Sequence, residues 1–204
     1  MRQRPQPASS LLAEEQPLDE QEQDAVLAEL EQQQATTMWL FRLLFGVGAA
    51  ALATFFVYAA WQQQAAPWQV RYTGELRTVT SQGGSVAALA LQGAGLAAAA
   101  AALLAGLPGR GARARSCLPA PRHTWLLLAA AAAVTAGAGA YWAVALHANV
   151  RKWGRANGFH PELMWLPAGP VAYCLLCLYF THSLSTTSQE LQKLQRLRYR
   201  FKKV

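Results

Sequence analysis

Long parts of this 204-residue sequence hold almost no charge. Residues 38–61, 85–107, 125–147 and 164–184 together contain a single Asp, Glu, Lys or Arg, which is Arg42. Ionisable groups inside hydrocarbon mark proton and ion pathways because they are expensive to keep there. Their scarcity leaves proton-coupled transport and cation conduction without their usual apparatus. Cysteine is also sparse: Cys117, Cys174 and Cys177 are too few for a disulfide framework. No N-X-S/T sequon occurs, and there is no G-x-S-x-G, H-E-x-x-H or P-loop to carry hydrolysis or nucleotide binding. The polar opening, Met1 to Thr37, has no apolar h-region, so no secretory signal is expected there. His160 and His182 lack enough companions for a metal site, and no cofactor is expected.

What the four uncharged stretches contain is hydrocarbon. About 20 apolar residues in helical conformation match a bilayer core of ~30 Å, so each is expected to be a transmembrane span. The first, MWLFRLLFGVGAAALATFFVYAAW, has Trp39 at one end and Tyr58 and Trp61 at the other, residue types that settle at headgroup depth. Arg42 lies one turn inside, where its stem can reach back to the interface. The second and third spans are dominated by alanine with Gly93, Gly95, Gly137 and Gly139. Small residues let helix backbones approach where no hydrophobic effect drives helices together, so this pair is expected at the centre of the bundle. Gln92 and Thr135 are the clearly polar groups at depth there, each expected to make an interhelical hydrogen bond. The fourth span carries Pro167 and Pro170, which should bend it or leave carbonyls without donors. Pro161 is expected to start this last helix.

Charge gathers outside the spans, with eight of the eleven acids before residue 32 and six of the eighteen bases after residue 192. Residues 1–17 are rich in Pro, Gln and Ser and are expected to be disordered. Leu18 to Gln34 reads as an acidic helix able to run directly into the first span, since Ala35, Thr36 and Thr37 contain no strong breaker. Residues 185–204 read as a basic amphipathic helix opened by a Thr187–Glu190 capping box. Lys193, Arg196, Arg198, Arg200, Lys202 and Lys203 would hold it to anionic lipid. The first connection contains Trp68-Gln69-Val70-Arg71-Tyr72, which alternates like a strand but reads as an interfacial anchor, with Trp68 and Arg71 as contact candidates. The second is a basic loop with Arg110, Arg113, Arg115 and Arg122 around Cys117.

Four spans place both termini on one side. Thirteen of the eighteen Lys and Arg then share that side, against Arg71, Arg77, Arg151, Lys152 and Arg155 opposite. The positive-inside rule makes the termini cytosolic, or matrix or stromal in an organellar inner membrane. The ending Arg200-Phe201-Lys202-Lys203-Val204 looks like a degenerate K-x-K-x-x retrieval tail, which points to the ER or Golgi.

One enzymatic motif is present: Cys174-Leu175-Leu176-Cys177, two thiols on one helix face that could exchange a disulfide if accessible. Four spans with C-x-x-C in the last resembles the vitamin K epoxide reductase family. In that family a second cysteine pair in the loop after the first span feeds this one. Residues 62–84 here hold no cysteine. The alternative role for Cys174 and Cys177 is apolar packing.

The expected architecture is therefore an all-α, four-transmembrane-helix bundle. It comprises an N-tail (1–37), a span domain (38–184) and a basic C-tail (185–204). The expected function is a non-enzymatic membrane scaffold, assembly factor or trafficking adaptor working through its charged cytosolic tails, with anionic lipid and a protein as partners and no nucleic acid. The alternatives are a facilitator of neutral solute or lipid movement, its gap lined by Gln92, Tyr141, Tyr173 and Thr181, and a thiol oxidoreductase.

Overall fold

The computed structural model describes residues 20–69, 71–105, 107 and 122–201, with the backbone alone for 20–24, 71–72, 122, 155–157 and 194–201. The first residues of the N-tail, most of the basic loop with Cys117, and Lys202 and Lys203 lie outside the described residues. The rest is all-helical: α1 Glu20–Ala65, α2 Arg71–Gly74, α3 Gln82–Leu104, α4 Arg122–Gly158 and α5 Trp165–Phe201. Four of these, all but α2, are long and apolar enough to cross a membrane.

No glycine or proline interrupts residues 20–45, so the acidic segment and the first span form one 46-residue helix. At 1.5 Å per residue it measures about 69 Å, roughly twice a bilayer's hydrocarbon thickness. α3 opens where Ser81 accepts the Gly84 N–H at 3.1 Å, and it ends at Leu104 rather than at the expected Leu107. α4 is interrupted at Gly154, whose φ of 76° is costly for any residue with a Cβ. The chain then folds back until Asn149 Nδ2 donates to the Gly158 carbonyl at 3.1 Å.

The last helix departs from expectation at both ends. Pro161 opens only a 3₁₀ turn, Pro161–Leu163, and α5 begins at Trp165. At residue 187 there is no new start, since α5 is a single 37-residue helix of about 55 Å. The expected capping box does not form because the preceding turn is already helical. With carbonyls four residues back in reach, the hydroxyls bond to them: Thr186 to His182, Thr187 to Ser183 and Ser188 to Leu184, each at 3.1 Å.

α3 packs against α1, α4 and α5. It alone is central, with 56% of its apolar stretch buried against 33% for α4 and for α1. The third span is thus no more internal than the first. The glycines explain the geometry. A Cβ on Gly95 would stand 3.1 Å from the Ala131 carbonyl oxygen of α4, and one on Gly139 would stand 2.7 Å from the Pro167 oxygen of α5. Gly93 faces Val57 and the Ala53 carbonyl of α1 in the same manner, whereas Gly137 faces open space. Trp142, Phe56, Leu89, Leu96, Leu103, Leu128 and Leu166 fill the interior. Outward point Leu44 (72% exposed), Leu126 (71%), Val144 (69%) and Tyr179 (67%), the reverse of a surface made for water.

One buried side chain joins three helices. Pro170 has no N–H, so the Leu166 carbonyl four residues earlier loses its helical donor. Gln92 of α3 supplies it, its Nε2 donating to Leu166 O at 2.5 Å. The same amide's Oε1 accepts Trp142 Nε1–H from α4 at 3.2 Å. Thr135 bonds both within and between helices: its hydroxyl turns back to the Ala131 and Ala132 carbonyls at 2.9 and 3.0 Å, and it also hydrogen-bonds with Cys174 of α5.

Replacing Gln92 by Leu strands both Leu166 O and Trp142 N–H, and should cost about 1–3 kcal/mol. Adding Pro170→Ala, which returns a backbone donor to Leu166 O, should recover part of that loss. Thermal unfolding in detergent reads both. By the same assay Gly139→Ala should destabilise through its clash with Pro167, while Gly137→Ala should be neutral or stabilising by up to about 1 kcal/mol.

Candidate functional site: paired helix ends and the opposite rim

α1 and α5 meet in antiparallel contact along a seam whose residues recur every three or four positions. Buried or half-buried at this spacing are Leu27, Glu31, Gln34, Met38, Phe41 and Phe45 on α1 and Thr181, Leu184, Ser188 and Leu191 on α5, and the contacts across the pair run through Gln34, Met38, Phe41 and Phe45. Within the apolar stretch the contact is aromatic, with Phe41 and Phe45 rings 5.3 and 5.6 Å from Phe180. Tyr173 closes it by donating its hydroxyl to the Phe45 carbonyl at 2.7 Å.

Where charged sequence begins, the seam becomes polar. Gln34, only 8% exposed, donates from Nε2 to Ser188 Oγ at 2.8 Å and to Leu184 O at 3.3 Å, with Met38 Sδ 3.6 Å from the same hydroxyl. These contacts sit beyond the expected ends of the first and fourth spans. The acidic and the basic helix ends therefore emerge together from one end of the bundle. Lys193 is exposed. Arg196, Arg198 and Arg200 lie on the continuous helix, their side chains outside the described residues.

The opposite rim is built from the first and third connections. Pro67 and Trp68 form the corner of a tight turn in which Gln69 N–H reaches Ala66 O at 3.4 Å. Trp68 is the one non-glycine residue with positive φ (65°) among the described residues, a conformation that strains a bulky side chain's backbone. It is half-buried, and Arg71 is the first residue of α2, so among the described residues Trp68 lies in a turn and Arg71 and Tyr72 in a helix. Buried Thr73 donates to Gln63 Oε1 at 2.7 Å and ties α2 to the end of α1. The third connection clasps the first: Lys152 Nζ donates to Thr78 O at 3.1 Å and Trp153 Nε1 to Thr78 Oγ1 at 3.3 Å. His160 stands between two carboxylates, 3.7 Å from Glu75 and 3.5 Å from Glu162, on opposite ring nitrogens. That arrangement bridges two loops but does not converge on a point. Among the described residues no group of three or more His, Cys, Asp or Glu could hold a metal ion.

Cys174 and Cys177 are both free thiols with no solvent exposure. They face the core of the bundle, where Thr135 of α4 lies beside Cys174. Thiol exchange needs an accessible thiolate, and both sulfurs are covered in this arrangement. The four residues named as lining a gap are not brought together. Gln92 is engaged by α4 and α5, Tyr173 by α1, and Thr181 by the Cys177 carbonyl of its own helix. The Tyr141 hydroxyl abuts Gly84 at the start of α3.

The Gln34–Ser188 contact and the His160 bridge are not visible to motif reading. A periodic Gln-x-x-x-Met-x-x-Phe face on an otherwise acidic helix was the available signal for the first. Comparison with protein-family models, with curated proteins and with solved structures finds no match.

In lipid vesicles, Cys174 and Cys177 should remain unmodified by a water-soluble maleimide until the protein is unfolded, whereas a cysteine introduced at exposed Gln33 should react at once. Labelling of either native thiol in the folded protein would reopen the redox assignment.

Proposed function

We propose that the protein is a non-enzymatic, multi-pass membrane scaffold or assembly adaptor, with the joined ends of α1 and α5 as its working surface. The observation that carries this reading is where the polar chemistry lies. Inside the apolar layer the polar groups of Gln92, Thr135, Tyr173 and Thr181 are consumed in holding helices together or in bonds within a helix. Outside it, two helices extend about 25 Å beyond the expected span ends, one acidic and one basic. A charged two-helix projection is a platform for another protein, and its bases suit a leaflet carrying anionic headgroups once α5 is released from α1.

By the excess of Lys and Arg at that end, the platform faces the cytosol. An ER or Golgi membrane is the compartment this reading favours, with a mitochondrial or plastid inner membrane as the alternative. Trp68 and Arg71 would then anchor the opposite, lumenal rim at headgroup depth.

Deletion of residues 1–37, or of 185–204, should each remove a defined set of co-purifying proteins or redistribute the protein between compartments. If neither deletion alters partners or location, the adaptor reading fails.

A further inference from the structure

The contacts between α1 and α5 fix their relative register, and the register has a consequence for charge. Gln34 meets Ser188 and Leu184, and Phe41 meets Phe180, so position numbers across the pair add to about the same value at each step. Both helices continue outward from this contact without a break, α1 back to Glu20 and α5 forward to Phe201. Continued at the same rise, the antiparallel register brings Glu22 and Asp24 within one helical turn of Arg196, Arg198 and Arg200. Glu29 lies level with Lys193. On that register the acidic run of one helix would lie alongside the basic run of the other, and the two segments are of nearly equal length.

We propose that residues 20–33 of α1 and 189–201 of α5 form an intramolecular acid–base helix pair that holds the basic segment off the membrane. On this account the same bases serve two mutually exclusive partners, the acidic helix of their own chain and an anionic leaflet. This rests on the adaptor reading for its purpose, but not for its physics. A helix that runs on in line with its span cannot also lie flat on the leaflet. To reach the lipid, α5 must break near Leu184 and give up the Ser188 contact with Gln34. Ion pairs exposed to water are individually weak and are screened by salt, so the closed state is one that a charged surface can displace. Six bases lying within a Debye length of anionic lipid supply the competing attraction.

The test uses the full chain in vesicles, with Cys117 replaced by Ser and spin labels on cysteines introduced at Ala25 and Leu197. Dilution with unlabelled protein confines the measured distance to a single chain. In phosphatidylcholine vesicles the distribution should be short and narrow. In vesicles containing phosphatidylserine the short population should fall and a long, broad one should replace it. Glu22→Arg with Asp24→Arg should open the pair in phosphatidylcholine. Adding Arg196→Glu, Arg198→Glu and Arg200→Glu should close it again and leave it closed over phosphatidylserine. A distance that ignores lipid charge, or a reversal on α1 that the reversal on α5 does not rescue, overturns the proposal. Neither result bears on which proteins co-purify, so the adaptor reading stands or falls separately.

Discussion

A backbone carbonyl stranded in a layer without water has nowhere to turn but another part of the protein, and this constraint organises the bundle. Pro170 creates one such carbonyl at Leu166, in the interior. Gln92 answers it and, with its remaining oxygen, takes the indole N–H of Trp142. One amide thus fixes the height and rotation of three helices at once. The close approaches at Gly95 and Gly139 bring α4 to α3 and α5 to α4, near enough for that amide to reach. A small residue at each crossing and a polar one at the node are two halves of the same solution, since neither would hold α5 in place without the other.

The two ends of the bundle are held by different means. At one rim, Lys152 and Trp153 near the end of α4 clasp Thr78 of the α2–α3 connection, and Trp68 adopts a strained backbone to make its corner. At the other, the helices run on past the apolar layer and remain in contact through Gln34, Met38 and Ser188. The clasped rim and the extended, charged end give the molecule a polarity that matches the uneven division of bases along the chain.

Much of this was legible in the sequence, for reasons that differ from element to element. The four apolar stretches needed only length and the absence of charge, and the fusion of the acidic helix with the first span followed from a junction, Ala35-Thr36-Thr37, with no breaker in it. The lost hydrogen bond at Leu166 is simple arithmetic from Pro170. That Gln92 repairs it is not, because residues 92 and 166 become neighbours only through packing. Local motifs were the least reliable guide. Thr187 and Glu190 fit a capping box, yet the helix was already running and the hydroxyl bonded backwards. Gly137 and Gly139 look alike in sequence, and only the second touches another helix. The alternation at Trp68 to Tyr72 likewise yielded to the turn imposed by Pro67.

Four crossings of the apolar layer put the long helix ends together on one side and the Thr78–Lys152–Trp153 clasp on the other. Single cysteines at Gln32, Arg77 and Gln189, probed with a membrane-impermeant maleimide in sealed, uniformly oriented vesicles, test this directly. Positions 32 and 189 should react from the same face and position 77 only from the opposite one. Reaction of 32 and 189 from different faces, or of all three from one, would contradict it.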